Sequence, residues 1–531
     1  MSRPTHHIDP IRARGLHTRP TSPGPPIFLI SVDMVSPDMY GAGRYADHLR
    51  TPSIDRLRAE GVWFENAFCN SPLCGPSRAA YLTGRYPYLT VNEERAHDGF
   101  ETDLRPRDII FPEYLRAAGY RTRHVGKCHV GTAKFMDAFG ENDSPWNRWA
   151  PPVDDDDQYE LYRRNLGVRG MRFRREVQGL MPDRSTPGNS YGGWVEQPNG
   201  DEFPIEATYP HYLAHRAAEL AHLHAEANAP LYLQLDFFAP HQPFFIPAGM
   251  EEREALLREI IELPESYRDM QRRDFAPLED EPYVYQQYTR HWGLYEEQTM
   301  RDYLVGHLLQ MEVLDTAIGL FLDALRETGL YEDSLLIFLD DHGEMNGHRA
   351  LIDKGVYGHP RVERVPLCAK LPDREAAGRT VDASVCLLDL APTVLETAGI
   401  EIEDRLDGES LLPFIRSQKQ RREAPFLFES GWHVTANPAV SIRKRIPGRG
   451  HFLYTYNVAS PCDELYDLDD ARCRNLAPDP DCRDVLRQMI RHLGTVLQSD
   501  RRWRCYWHAF RLEKHDELEL DSGDTQMFVP E

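Results

Sequence analysis

Four short apolar runs in this chain each stop at residues able to do chemistry, and that repetition limits the fold more than any other feature. Ile27–Val32 stops at Asp33, and Tyr120–Val125 leads into Gly126-Lys127-Cys128-His129. Leu231–Leu235 leads into Asp236 and, past Ala239-Pro240, to His241; Leu335–Leu339 stops at Asp340-Asp341-His342-Gly343. Runs of this length bounded by turn residues are predicted as buried strands. Helical patterns lie between them: Thr51–Gly61, Phe111–Gly119, and Tyr303–Gly329 with a Leu308, Met311, Leu314, Ile318, Phe321, Leu325 stripe. The alternation predicts an α/β fold with a large mixed or parallel sheet sandwiched by helices. Ligands of such sheets bind beyond the carboxyl ends of the strands, so the four polar ends are expected along one edge.

At 531 residues the chain exceeds the usual size of one hydrophobic core. The division expected is a catalytic body over residues 26–415, a smaller C-terminal α+β domain over 416–500, and a tail over 501–531. Within the second unit Phe426–Glu429, Ala439–Arg443 and Phe452–Tyr456 read as strands and Val485–Leu497 as a helix. The aromatic, then acidic, tail is expected to pack on the body or on another copy of the chain in a homo-oligomer. A net charge of -23 repels nucleic acid and anionic lipid, which excludes both as partners. Any anionic substrate must therefore meet a local basic pocket. Nine cysteines are too sparse for a disulfide scaffold. Residues 1–26 lack an apolar stretch of signal-peptide length, and Ile27–Val32 is too short to span a membrane, so a cytoplasmic location is expected.

Ser144–Gly200 shows little periodicity and reads either as an excursion over the mouth of the site or as plain surface loops. Its Trp146, Trp149, Tyr191 and Trp194 are candidates for stacking on a sugar or aryl ring. Its Arg169, Arg172, Arg174 and Arg175 are candidates for a second anion. Core and surface roles compete with each of these readings. His211, His215, His222 and His224 read as a helix surface.

Cys74-Gly-Pro-Ser-Arg78 is the most informative stretch. Pro76 suits the first turn of a helix and Gly84 its end, which puts Cys74 at a helix N-terminus where an anion is favoured. The pentapeptide resembles the Cys-x-Pro-Ser-Arg signature of the sulfatases, formylglycine-dependent enzymes of the alkaline-phosphatase-like superfamily. Gly119-Tyr-Arg-Thr122 through Gly126-Lys-Cys-His129 is similar to their second signature. Ala239-Pro-His241, Asp341-His-Gly-Glu344, Lys354-Gly355, Arg364-Val-Pro366 and Glu464-Leu-Tyr-Asp-Leu468 follow in family order.

The resemblance implies hydrolysis of a small-molecule or saccharide sulfate ester. Cys74 would be oxidised to formylglycine (3-oxoalanine) by a separate formylglycine-generating enzyme. Asp33, Asp341, His342 and residue 74 would hold one divalent cation, Ca²⁺ by oxygen-rich ligation, with Mg²⁺ or Mn²⁺ as alternatives. Arg78 would steady the nucleophile, and Lys127 and Lys354 would meet sulfate oxygens. His129 would be the base that releases sulfate, and His241 would protonate the departing alcohol. Asp340 is expected to be a structural neighbour. One departure stands out: the family usually has two acidic residues after the first strand, whereas this chain has Asp33-Met34. A thioether is a poor ligand for a hard cation, so either the site uses one carboxylate fewer, a nearby group such as Asp38 or a water substitutes, or metal binding is weakened. Met34 and Asp341-His342 also suit a rival reading, a phosphonate monoester or phosphodiester hydrolase. Met34 alone would support a third, a binding protein with a dead site.

Overall fold

The four apolar runs lie side by side. The computed structural model describes residues 24–87, 104, 108–139, 141–146, 150–225 and 229–518. In it Leu335–Asp340, Ile27–Asp33, Leu231–Pro240 and Arg121–Lys127 are adjacent, mutually parallel strands in the middle of an eight-stranded sheet. Glu141–Trp146 extends the sheet in parallel on one side. On the other, Leu367–Lys370 joins antiparallel, followed by Val62–Phe64 and Arg379–Val381. The sheet is therefore mixed, with a parallel centre.

Ile27–Asp33 and Leu231–Pro240 are buried along their whole length, which is why they read as continuous apolar runs without alternation. Helices Tyr209–His224, Glu297–Glu327 and Pro52–Glu60 form one packed group, the first two resting on Leu231–Pro240. Cys74–Thr83, Phe111–Ala117 and Leu390–Thr397 form another. The long helix starts at Glu297, before its apolar stripe, because its first turn is polar and partly exposed.

The chain then builds a four-stranded antiparallel sheet from Leu427–Trp432, Ala436–Ile446, Gly450–Asn457 and Glu464–Asp467. Helix Arg483–Ser499 covers it with Val485, Met489, Ile490, Leu493 and Leu497. Arg504–Glu513 packs on that helix, and Trp503, Tyr506, Trp507 and Phe510 join the same core. Phe68, Tyr86 and Leu388 of the body belong to this core too, so the smaller unit is packed onto the larger by shared apolar burial. No helix among the described residues is long and apolar enough to cross a membrane.

The 144–200 stretch is more ordered than its sequence suggests. It holds helix Asp157–Asn165 and a hairpin, Arg172–Leu180 with Pro187–Glu196, to which Phe244–Ile246 adds a third strand. Register shifts along the hairpin break the alternation that would have marked it as strand. Its candidate stacking residues are core: Tyr191 and Trp194 are buried, and Trp146 packs edge-on against Tyr209 at 5.6 Å. Trp149 lies outside the described residues. Three of the four arginines are paired with carboxylates: Arg172 with Glu196, Arg174 with Glu251 and Arg175 with Glu254. Arg175 also covers the Trp194 ring at 3.5 Å, which buries both the ring and any capacity for stacking on a ligand. The histidines on Tyr209–His224 divide: His215 and His222 are about half exposed, but His211 and His224 are buried. The hydroxyl of Thr208 lies 2.8 Å from His211, and Arg123 donates to His224 at 3.0 Å, so those two are interior polar contacts.

Candidate active site

The site is assembled where the four central strands end. Asp33 closes Ile27–Asp33 beside a register shift against Leu231–Pro240, a bulge of the kind that re-aims a side chain. Lys127 closes Arg121–Lys127, and Gly126 before it has φ +106°. A Cβ there would meet the Asp236 carbonyl oxygen at 2.0 Å, so only glycine lets the two strand ends approach this closely. Cys74 opens the wholly buried helix Cys74–Thr83, which ends at a left-handed Gly84. Asp341 and His342 follow the Leu335–Asp340 strand.

Asp33, Cys74, Asp341 and His342 are all buried, with one ligand atom from each lying within 4.8 Å of the others. Cys74 Sγ stands 3.2 Å from His342 Nε2 and 3.7 Å from Asp33 Oδ1. Arg78, one turn into the helix, donates to Asp341 at 2.8 Å and to the Lys127 carbonyl at 3.0 Å. Its guanidinium also faces Asp33 at 3.5 Å and Asp236 at 3.6 Å. Lys127 Nζ donates to Asp33 at 2.5 Å, and the His129 side chain hydrogen-bonds Cys74. His241 Nε2 lies 2.5 Å from Lys354 Nζ. The structure thus brings together all nine side chains singled out in the sequence.

The electrostatics follow from burial and crowding. Burial pushes the Cys74 thiol up, but Lys127, Lys354, His342 and the His129 hydrogen bond outweigh it and pull the thiol well below its usual range. Asp341 is pushed up to about 6, first by burial and then by Asp33. Burial opposes charge on His342, yet Asp341 and Cys74 raise it to about 9. Asp340 is forced well above the carboxylate range by burial and by Asp341 and Asp33; its Oδ2 accepts the Val35 N–H at 2.8 Å. It is anchored to backbone, as expected for a structural neighbour.

This crowding tests whether the residues suit a cation. Buried carboxylates at such spacing repel one another and draw protons, and a divalent ion relieves that repulsion better than protons do. Asp341 Oδ1 is buried without a protein hydrogen-bond partner, as an oxygen kept for a metal would be. The set fits. Asp38, offered by the sequence as a substitute ligand, does not belong to the group: its carboxylate pairs with Arg361 and faces His348. Met34 is buried with φ 72°, and His307 donates to its carbonyl at 3.0 Å.

Sequence reasoning assigned no role to three participants. Asp236 balances Arg78 and is held by His124 at 2.9 Å and Gln234 at 2.6 Å. Its place at a strand end was the available signal. Asp353 and Gln242 flank Lys354 and His241; Gln242 falls inside the Ala239–Pro243 stretch that matches the family, whereas no signal in a single sequence marks Asp353.

Paired lysine, arginine, carboxylate and histidine side chains thus gather, buried, at the carboxyl edge of a mixed α/β sheet around a cysteine that opens a helix. The sulfatase family model matches residues 25–400, and the chain belongs to that family. A second model, N-sulphoglucosamine sulphohydrolase, C-terminal, matches residues 347–499. The choline-sulfatase of Rhizobium meliloti (strain 1021) is 26% identical over 480 residues, covering 87% of this chain and 84% of the relative. The arylsulfatase of Clostridium perfringens (strain 13 / Type A) is 26% identical over 411 residues, covering 74% and 79%. Among solved structures, the phosphonate monoester hydrolase of Silicibacter pomeroyi superposes with TM-score 0.66 at 22% identity, covering 88% of this chain and 95% of that one. BT4656, solved with its substrate D-glucosamine-2-N,6-O-disulfate, gives 0.64 at 18%, covering 91% and 98%. The protein is a sulfuric ester hydrolase of the alkaline-phosphatase-like superfamily.

Proposed function

We propose that the chain hydrolyses the sulfate ester of a small alcohol or saccharide with a nucleophile made from Cys74. The observation that carries this reading is the position of Cys74. It opens a buried helix, touches Asp33 and His342, and is flanked by two lysines in a protein of net charge -23. A thiolate is a soft ligand among hard oxygens, whereas formylglycine at position 74 would complete an oxygen-rich set. Formylglycine, installed by a maturation enzyme that reads Cys74–Arg78, supplies an aldehyde hydrate whose oxygen can attack sulfur and from which sulfate can later be expelled.

Asp33, Asp341 and His342 would hold the cation, Ca²⁺ or else Mg²⁺ or Mn²⁺, which would supply Lewis-acid activation of the nucleophile and offset developing charge. Lys127 and Lys354 would hold sulfonate oxygens, a local anion attraction within an acidic molecule. Arg78 keeps Asp33 and Asp341 aligned. His129, hydrogen-bonded to residue 74, would accept a proton there, and His241 with Lys354 would supply a proton to the departing alcohol.

Met34 favours a second reading, hydrolysis of phosphonate monoesters or phosphodiesters, since only one early carboxylate serves the cation. Mass analysis of the peptide spanning Ser71–Arg78, together with rates on aryl sulfate, aryl phosphonate and aryl phosphodiester, decides between them. Loss of sulfur from Cys74 and preference for the sulfate are expected. Full turnover by unconverted protein would remove formylglycine, and preference for the phosphonate would install the second reading.

A further inference from the structure

His241 and Lys354 sit on different loops, yet their nitrogens meet at 2.5 Å. What holds them is a closed ring of four residues. Asp353 Oδ1 accepts the Lys354 ammonium at 3.0 Å and the Lys354 backbone N–H at 2.6 Å. Asp353 Oδ2 accepts the amide of Gln242 at 2.5 Å. Gln242 in turn offers its backbone carbonyl to His241 Nδ1 at 2.5 Å, which closes the ring. A carbonyl only accepts, so His241 carries a proton on Nδ1 and its Nε2 accepts from the Lys354 ammonium; the proton held between these two nitrogens is the one passed to the departing alcohol, leaving Lys354 a neutral amine until it regains a proton from water.

Asp353 is itself over-determined. It is 2% exposed, and its backbone sits at φ 62°, a conformation that aspartate tolerates better than most residues. Glu344 accepts its N–H at 2.6 Å, and the Tyr303 hydroxyl bridges Glu344 at 3.3 Å and Gln242 Oε1 at 3.4 Å. Such a buried, fully bonded carboxylate is expensive to keep unless it sets the geometry of its partners. Lys127, the other sulfate-facing lysine, is anchored by Asp33, which belongs to the cation group. Asp353 lies outside that group and serves Lys354 and Gln242.

We propose that Asp353 is a positioning residue for leaving-group departure. It locks the Lys354 ammonium against His241 Nε2 and, through Gln242, fixes the His241 ring, so that sulfate binding and alcohol protonation are aligned by one carboxylate. This rests on the reading of His241 as the acid for the leaving alcohol. Asp353 contacts no reacting atom in this scheme, and its effect runs through its two partners.

The consequence is a dependence on the leaving group. A nitrophenolate leaves without much help from a proton, whereas an alkoxide needs it. Asp353→Asn keeps the shape but removes the charge and sets an N–H against either Lys354 or Gln242. With an alkyl sulfate its kcat should fall on the order of 100-fold. With 4-nitrophenyl sulfate the fall should be about 10-fold or less, with KM within about 3-fold, because Lys354 remains to bind the anion. Gln242→Leu should shift both substrates in the same sense by a smaller factor, and both variants should melt as cooperative folded proteins.

His241→Gln separates this inference from the reading beneath it. If His241→Gln is selective for poor leaving groups and Asp353→Asn is not, the positioning role is wrong. If His241→Gln slows both substrates equally, His241 is not the acid, and the inference falls with that reading. A purely structural Asp353 would lower the melting temperature and slow both substrates by one factor. That result too would overturn the proposal, while a selective loss in all three variants would support it.

Discussion

Asp33, Cys74, Asp341 and His342 stand on strand ends and a helix start, whereas His241, Lys354 and Asp353 stand on loops tied together by one another's hydrogen bonds. The first half is positioned by backbone ladders that pair over many residues, such as Ile27↔Leu335 through Val32↔Asp340. In the second half His241 follows directly on the Leu231–Pro240 strand, whereas Asp353 and Lys354 have no such frame. Their loop passes through left-handed residues at Asn346, Arg349, Ala350 and Asp353, and the Asn437 amide of the smaller unit anchors it by donating to the Val356 carbonyl at 2.7 Å. Chemistry that must bear crowded charge is therefore mounted on the stiffest part of the molecule. Recognition and departure of the alcohol are mounted where loops and the second unit can vary.

Breaking the nucleophile should have the largest effect. Cys74→Ala should reduce aryl sulfate turnover by at least on the order of 10⁴-fold while the melting temperature stays near wild type, because alanine suits a helix start. Arg78→Ala attacks the frame instead. It strands Asp33, Asp236 and Asp341 without their shared cation, and a loss of about 3–5 kcal/mol in chemical unfolding is expected. A variant that lost activity but kept full stability would mean that the carboxylates are balanced by something other than Arg78.

Chelation should silence the enzyme, with activity restored by added Ca²⁺, Mg²⁺ or Mn²⁺. Asp341→Asn should weaken cation affinity on the order of 100-fold, read by metal titration, with stability away from the site little changed. Full activity after exhaustive chelation would overturn the cation assignment. The mildest change is Met34→Asp, whose left-handed backbone an aspartate can adopt. An added carboxylate should raise metal affinity and raise the ratio of sulfate to phosphoryl hydrolysis by about several-fold, since it penalises the more negative phosphoryl transition state more. An unchanged ratio and affinity would place the Met34 side chain outside reach of the cation, and the phosphonate reading would lose its main support.

The legible half of the site was legible for a physical reason. Residues 33, 127, 236 and 341 end apolar runs, and a parallel sheet brings such ends to one edge whatever the loops do. The Cys74–Arg78 pentapeptide carries its own helix-start signals, so local sequence determined where the nucleophile would point. The 172–196 hairpin stayed hidden because its register shifts erase the period of two. Trp194 and Tyr191 looked available for a ligand because exposure is a property of packing, and Arg175 closes over the indole from a neighbouring strand.

By itself, then, the amino-acid order determined the central sheet and the helix that Cys74 opens, through short-range periodicity and capping, while the roles expected of Asp33, Cys74, Asp341 and His342 came from the family resemblance. Only the tertiary structure decided that Asp353 grips Lys354, that Gln242 turns the His241 ring, and that Asp38 serves Arg361 rather than the cation. Those choices join residues 111, 113 and 323 positions apart for Gln242–Asp353, His241–Lys354 and Asp38–Arg361. No local preference encodes such distant pairings. They exist because burial leaves each polar group only the partners that the packed chain brings within reach.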